Sequence, residues 1–352
     1  MRCTFVRALQ NNGDVVKSET VQSQAIQARR EACELLCIGI AGTELLEQEA
    51  ALLAGGVRNV ILFARNYQDS SQLTQLAADI RNAAQGPVLI SVDQEGGRVQ
   101  RFCGAPFPDQ PAARDLGHEG VQAVAKWTRE TALALRACGV NMNLAPVLDV
   151  DSNPKNPVIG DRSLSRDANV VAQLGAACVQ AMQACGVAAC GKHFPGHGDT
   201  DVDSHFDLPK LPHPLTRLEQ LEFVPFRAAI KANIAAIMSA HVVFEAIDPH
   251  VPGTLSAQVI TGLLRGALGF DGLILTDDLE MKAVADRFEI GDAAVRAVEA
   301  GCDILLVCKN LPAQIQAIDG LSRAIASGRI SQDRLAQSRR RLELVLNTHA
   351  KI

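Results

Sequence analysis

The segment SAQVITGLLRGALGFDGLILTDD, residues 256–278, holds one complete unit of the pattern from which the rest of the chain is built. Ser256 reads as a helix N-cap, Val259, Ile260, Leu263 and Leu264 recur at helical spacing, and Gly269 supplies the C-cap, so residues 256–268 predict a helix. The run LILT at 273–276 is continuously apolar and short, the mark of a strand buried on both faces. Asp277 and Asp278 follow it at once, which puts two carboxylates at the carboxyl end of a buried strand.

The same grammar recurs on both sides. Apolar runs at 35–40, 57–63, 87–92, 140–148, 187–192, 234–240 and 303–307 join 273–276, and helical patterns lie between them. Thr43 is the expected N-cap of the helix after the first run, with Leu45, Leu46, Leu52 and Leu53 on its apolar face and Gly55-Gly56 stopping it. Eight strands that alternate with helices predict an α/β fold, a single (β/α)8 TIM barrel, with helices beyond about residue 311 closing the outer ring. An open doubly wound sheet is the rival, but its first strand–helix turn usually carries GxGxxG. Here that turn reads GIAGTE. Polar residues 1–30 are expected to form an arm outside the barrel of residues 31–352.

Composition narrows the function. A net charge of −5 argues against nucleic acid as a partner, because that binding rests on a basic surface. No run approaches the 18 apolar residues of a membrane span and the start lacks a secretory signal, so a cytoplasmic protein with no membrane partner is expected. The ten cysteines are scattered without a CxxC pair and read as reduced core thiols.

A barrel places its chemistry at the carboxyl ends of the strands. The polar residues follow that rule: Asp93 to Arg98 and Arg101 come after the third strand, Asp149, Asp151, Asp161 and Arg162 after the fourth, Lys192-His193 at the end of the fifth, and His241 after the sixth. The fifth strand runs into GKHFPGHGDTDVDSHFD, residues 191–207, a loop with three histidines and four aspartates.

His193, His197, Asp199, Asp203 and His205 raise the question of a metal. Barrel metallohydrolases usually add a His-x-His pair from the first strand and a carboxylate from the eighth, and this chain has neither. No metal and no cofactor is therefore expected.

Glycoside hydrolysis needs a carboxylate on one side of the sugar and a proton donor on the other. Asp277 is the carboxylate candidate, fixed at the top of a rigid strand, while Asp278 suits a helix cap better. In Asp203-Ser204-His205 an extended backbone puts the carboxylate and the imidazole on one face, where Asp203 can orient His205 and raise its basicity. His193 and His197 compete for the donor role. Gly96-Gly97 would let the backbone pass close to a ligand. Lys192 leaves a buried strand and needs a partner or a ligand.

VDQEGGRVQRF (92–102), IGDRS (159–163), KHFPGHGDTDVDSH (192–205) and GLILTDDLEM (272–281) resemble the motifs of glycoside hydrolase family 3, in its bacterial cytoplasmic β-N-acetylglucosaminidase branch. The resemblance runs from about Ile38 through the last strand. It implies a retaining hydrolase that removes terminal non-reducing N-acetylglucosamine from muropeptides, a small-molecule substrate, in cell-wall recycling; separately, the chain is expected to be a monomer. It implies Asp277 as nucleophile, His205 as proton donor and acceptor oriented by Asp203, and Asp93, Arg101, Arg162, Lys192 and His193 as sugar-binding residues. Two features depart from the pattern: Ala267 stands where a polar residue is usual, and no second α/β domain is read, so every catalytic group is expected from the barrel. Glycoside phosphorolysis, metal-dependent hydrolysis and sugar binding without turnover stand as alternatives.

Overall fold

A computed structural model describes residues 22–204 and 206–349. Its centre is a parallel sheet of β1 (Leu36–Gly39), β2 (Asn59–Leu62), β3 (Leu89–Val92), β4 (Met142–Asn143), β5 (Ala188–Phe194), β6 (Ala236–Ser239), β7 (Leu273–Leu275) and β8 (Leu305–Val307). Each strand pairs with its neighbour in sequence, β1 also pairs with β8 through Leu36 and Leu305, and a bridge from Leu275 to Ile304 completes the circuit. The eight expected runs are the eight strands of one barrel. At β4 the regular ladder is shorter than residues 140–148, because Pro146 has no N–H to give to it.

The strands owe their continuous apolar character to two cores. Cys37, Ile61, Leu89, Ala188, Ala236, Leu273 and Leu306 point into the barrel, while their neighbours Ile38, Val60, Ile90, Ala189, Ile237, Ile274 and Leu305 face the helices. The final two helices divide this work: Leu311–Ala326 lies in the outer ring. Gln332–His349 instead sends Leu342, Val345 and Leu346 into the interior core, plugging the end opposite the site. Asp303, fully buried just before β8, fastens that end by bonding Arg265, Arg334, Arg341 and Ser338.

Three local expectations change. Residues 256–268 are helical after Ser256, whose Oγ accepts from the Val259 N–H, but Gln258–Ala267 is wound as a π-helix that includes Gly262 and Gly266. Leu268 N–H accordingly reaches back five residues to Leu263 O. Glycine gives the weakest support to α winding of any residue but proline. The helix after β1 starts at Glu47, not beside Thr43, because the Glu49 carboxylate accepts from the Leu46 and Ala41 N–H groups and fixes the entry there. A helix at 22–34 buries Ala28, Ala32 and Cys33 in the outer core, and the boundary expected at 30–31 falls inside it.

Candidate active site

At the carboxyl ends of the strands lies a cleft of about 360 Å³. Its base is Ile61, Leu144, Met238 and Leu306, and its walls are charged. Asp93, Arg101, Arg162, Lys192, His193, Asp203 and Asp277 all line it, so the topology gathers seven of the eight expected site residues. The eighth, His205, lies outside the described residues.

β3 runs directly into a short hairpin, Gln94–Gly96 with Val99–Gln100. The Gln94 amide oxygen accepts the backbone N–H groups of Arg101 and Phe102, and its nitrogen donates to Phe102 O, which fixes Arg101 at the rim. Gly96 and Gly97 serve this chain's own backbone rather than a ligand. Both have positive φ, and a Cβ would lie 2.6 Å from Pro111 O at Gly96 and 2.9 Å from Ala112 at Gly97. Arg98, also on the cleft wall, is taken up by Asp161 and the carbonyls of Val158 and Ile159.

The need for a partner at Lys192 is met twice. Its Nζ lies 2.6 Å from both Asp93 Oδ1 and Glu95 Oε1. Glu95 in turn holds Arg162 in a two-point bond, each contact 2.8 Å, while Arg101 reaches Asp93 Oδ2 at 3.4 Å. Burial alone would push the Glu95 pKa up, but Arg162 and Lys192 hold it well below the usual carboxylate range. Burial would likewise lower the Lys192 pKa, and Asp93 and Glu95 raise it instead. The result is a rigid network of paired groups from three strands, poised to donate and accept hydrogen bonds without reorganising.

Asp149, buried after β4, organises the start of the histidine loop. It accepts the backbone N–H groups of His193 and His197, and its Oδ2 lies 2.7 Å from His193 Nδ1. Burial opposes its charge, yet the His193 ring and these bonds hold its pKa low. An ionised Asp149 puts the proton on Nδ1 and leaves Nε2 of His193 for the cleft. Two cis peptide bonds, Lys192–His193 and Phe194–Pro195, lie at this strand end.

Further along, His197 is a loop fastener. It touches Thr200 Oγ1 through Nδ1 and Ser204 Oγ through Nε2, and burial pushes its pKa down to about 4. Asp199 bonds His213 and Arg217, and Asp207 bonds Arg287. Asp203 O accepts the N–H groups of Phe206 and Asp207, and Ser204 O accepts from Ala283, which brings the loop tip to the segment after β7. Asp277 projects from the end of β7, one oxygen accepting the Asp278 N–H.

Asp278 is not the helix cap expected of it. Its carboxylate accepts the Glu280 and Cys308 N–H groups, and the next helix begins only at Lys282. Burial raises its pKa to about 6. Among the described residues, no group of three or more His, Cys, Asp or Glu is arranged to hold a metal ion. His241 is buried against Thr254 and Asp278 O.

Residues 28–345 match the glycosyl hydrolase family 3 N terminal domain. The chain belongs to glycoside hydrolase family 3. It is 42% identical over 283 residues to a beta-hexosaminidase of Thiobacillus denitrificans, covering 78% of each chain, and 41% identical over 300 residues to one of Xanthomonas euvesicatoria, covering 82% of this chain and 88% of that one. A family 3 β-N-acetylglucosaminidase from Paenibacillus superimposes with a TM-score of 0.90 at 42% identity; the match covers 92% of this chain and 62% of that longer one. NagZ from Neisseria gonorrhoeae, solved with N-trifluoroacetyl-D-glucosamine, gives a TM-score of 0.75 at 32% identity, over 90% of this chain and 98% of that one.

Two residues of this family 3 site escaped the sequence reading. The strand pattern places both Glu95 and Asp149 among the polar residues of the rim but singles out neither. A signal existed for each. Glu95 is an acid in a segment whose neighbour Asp93 was already singled out, and Asp149 ends an apolar run as Asp277 does.

Proposed function

We propose that this chain is a retaining β-N-acetylglucosaminidase that uses Asp277 as nucleophile and His205 as acid and base. A β-N-acetylhexosaminidase of family 3 is the activity its relatives carry by name. The observation that carries the residue assignment is the convergence on one cleft of Asp277, Asp203 and the paired network of Asp93, Glu95, Arg162 and Lys192.

Asp277 Oδ attacks the anomeric carbon while His205 Nε2–H protonates the departing glycosidic oxygen, giving a glycosyl-enzyme and a free alcohol. The neutral imidazole then takes a proton from water as that water attacks the anomeric carbon and releases Asp277. Asp203 orients the imidazole. Asp93, Arg101, Arg162, Lys192 and His193 hold the sugar hydroxyls in place, so that the reacting atoms meet without searching. The substrate is terminal non-reducing N-acetylglucosamine on muropeptides, consumed in cell-wall recycling in the cytoplasm. No helix among the described residues is long and apolar enough to cross a membrane.

The test is a fluorinated N-acetylglucosaminide that traps the glycosyl-enzyme, followed by peptide mass spectrometry. The label is expected on Asp277, and a label on another carboxylate overturns the assignment. For His205→Ala, activity loss is expected to grow as the leaving group worsens; equal loss on good and poor leaving groups removes His205 from the acid role.

A further inference from the structure

Six cations among the described residues line the cleft: Arg65, Arg98, Arg101, Arg162, Lys192 and Lys309. Four of them are matched by Asp93, Glu95 or Asp161. Arg65 and Lys309 are not: among the described residues neither forms an ion pair. Both are exposed, and both belong to the wall made by β8, β1 and β2, away from the paired network on β3 to β5.

Arg65 is built into place. Its Nε donates to Ile40 O and one Nη2 hydrogen to Cys308 O, each at 2.8 Å, and its guanidinium lies 4.4 Å from the centre of the Phe63 ring. A Cβ at Gly39 would lie 3.0 Å from Arg65 Nη2 and 2.0 Å from Cys308 O, so only glycine leaves room for this seat. Two of five N–H groups are used, which leaves Nη1 and the second Nη2 hydrogen for a ligand. Lys309 is the residue after the carbonyl that anchors Arg65, and its own backbone N–H is pinned by Glu280 Oε2 at 2.6 Å. The two cations therefore share one support.

We infer that Arg65 and Lys309 form an anion subsite at the cleft rim that reads a carboxylate on the leaving group of the substrate. This rests on the glycosidase reading above. A guanidinium held in position and left without a carboxylate loses little freedom on meeting one, and the bond gains from both charges. Asp277 and Asp278 line the same cleft and repel a dianion more than a monoanion, and this favours a carboxylate over inorganic phosphate. The rim position, beyond the ends of β2 and β8, suits a group set back from the bond being cut.

The test compares two aryl N-acetylglucosaminides, one with a carboxylate on the aryl ring and one with its methyl ester. Wild type is expected to favour the carboxylate in kcat/KM by about tenfold. Lys309→Gln is expected to erase most of that preference and Lys309→Glu to reverse it, with the ester changing less than about threefold. Arg65→Lys, which keeps charge but not the fork, is expected to act mainly through KM of the carboxylate substrate. A preference that stays the same in both Lys309 variants overturns the subsite. If added phosphate accelerates turnover, yields sugar 1-phosphate and does so through Lys309, the anion is an acceptor and the leaving-group assignment fails. Absence of turnover on both substrates by the wild type would instead sink the glycosidase reading.

Discussion

The carboxylate of Asp149 receives the Nδ1–H of His193 at 2.7 Å while the His197 backbone N–H donates to its other oxygen at the same distance. One buried group thus sets the tautomer of a cleft histidine and the path of the loop that carries Asp203. Asp149→Asn keeps the shape but turns one acceptor into a donor facing N–H groups. Its kcat/KM on an aryl N-acetylglucosaminide is expected to fall about hundredfold. Kinetics with the folded state checked by circular dichroism decide this; near-wild-type turnover would show that neither consequence matters.

Glu95 joins Arg162 to Lys192, and both cations hold its carboxylate ionised. Glu95→Gln is expected to cost about 3 kcal/mol at pH 7, because Arg162 loses its carboxylate partner and the buried Lys192 keeps only Asp93. Since the folded pKa is depressed, the contribution is present above the unfolded value of about 4.3 and is lost as pH falls through the folded value. The gap between wild type and variant should therefore narrow below pH 4 in urea titrations.

His197 has a folded pKa near 4, lowered first by burial and then by the adjacent His193. Its contribution to stability is present above the unfolded pKa of about 6.5 and is lost as pH falls from there to 4, worth about 3 kcal/mol in all. His197→Gln lacks this slope. Thermal melts at pH 7 and 4.5 should show a smaller acid loss in the variant than in wild type.

Asp278 gives the opposite sign. Burial raises its folded pKa to about 6, so its favourable contribution is present below about pH 4 and disappears as pH rises through 6. Asparagine can still accept from Glu280 and Cys308. Asp278→Asn should raise the melting temperature more at pH 7 than at pH 4, and an equal shift at both would refute the assignment.

Gly198 lies in the histidine loop, and a Cβ there would stand 1.7 Å from Val150 O. Alanine cannot fit without lifting the loop from the segment after β4. Gly198→Ala is expected to cost about 1 to 3 kcal/mol and to lower kcat on a poor leaving group. Full activity would mean that the loop tolerates the shift.

The chain by itself determined the barrel and its rim. Eight short apolar runs, separated by helical patterns, admit few ways to bury both faces, and the polar residues that end those runs must then meet at one end. Strand ends put Asp277 and Lys192 at that rim, whereas the resemblance to family 3 motifs is what named Asp93, Arg101, Arg162, His193 and Asp203 as site residues. Tertiary structure alone decided the partnerships. Lys192 meets Asp93 and Glu95 across about a hundred positions of sequence, Arg65 rests on the carbonyl of Cys308 just past the last strand, and the final helix enters the barrel rather than joining the ring. No periodicity encodes such pairings, because they depend on strand register and on which carboxylates burial forces to find a cation.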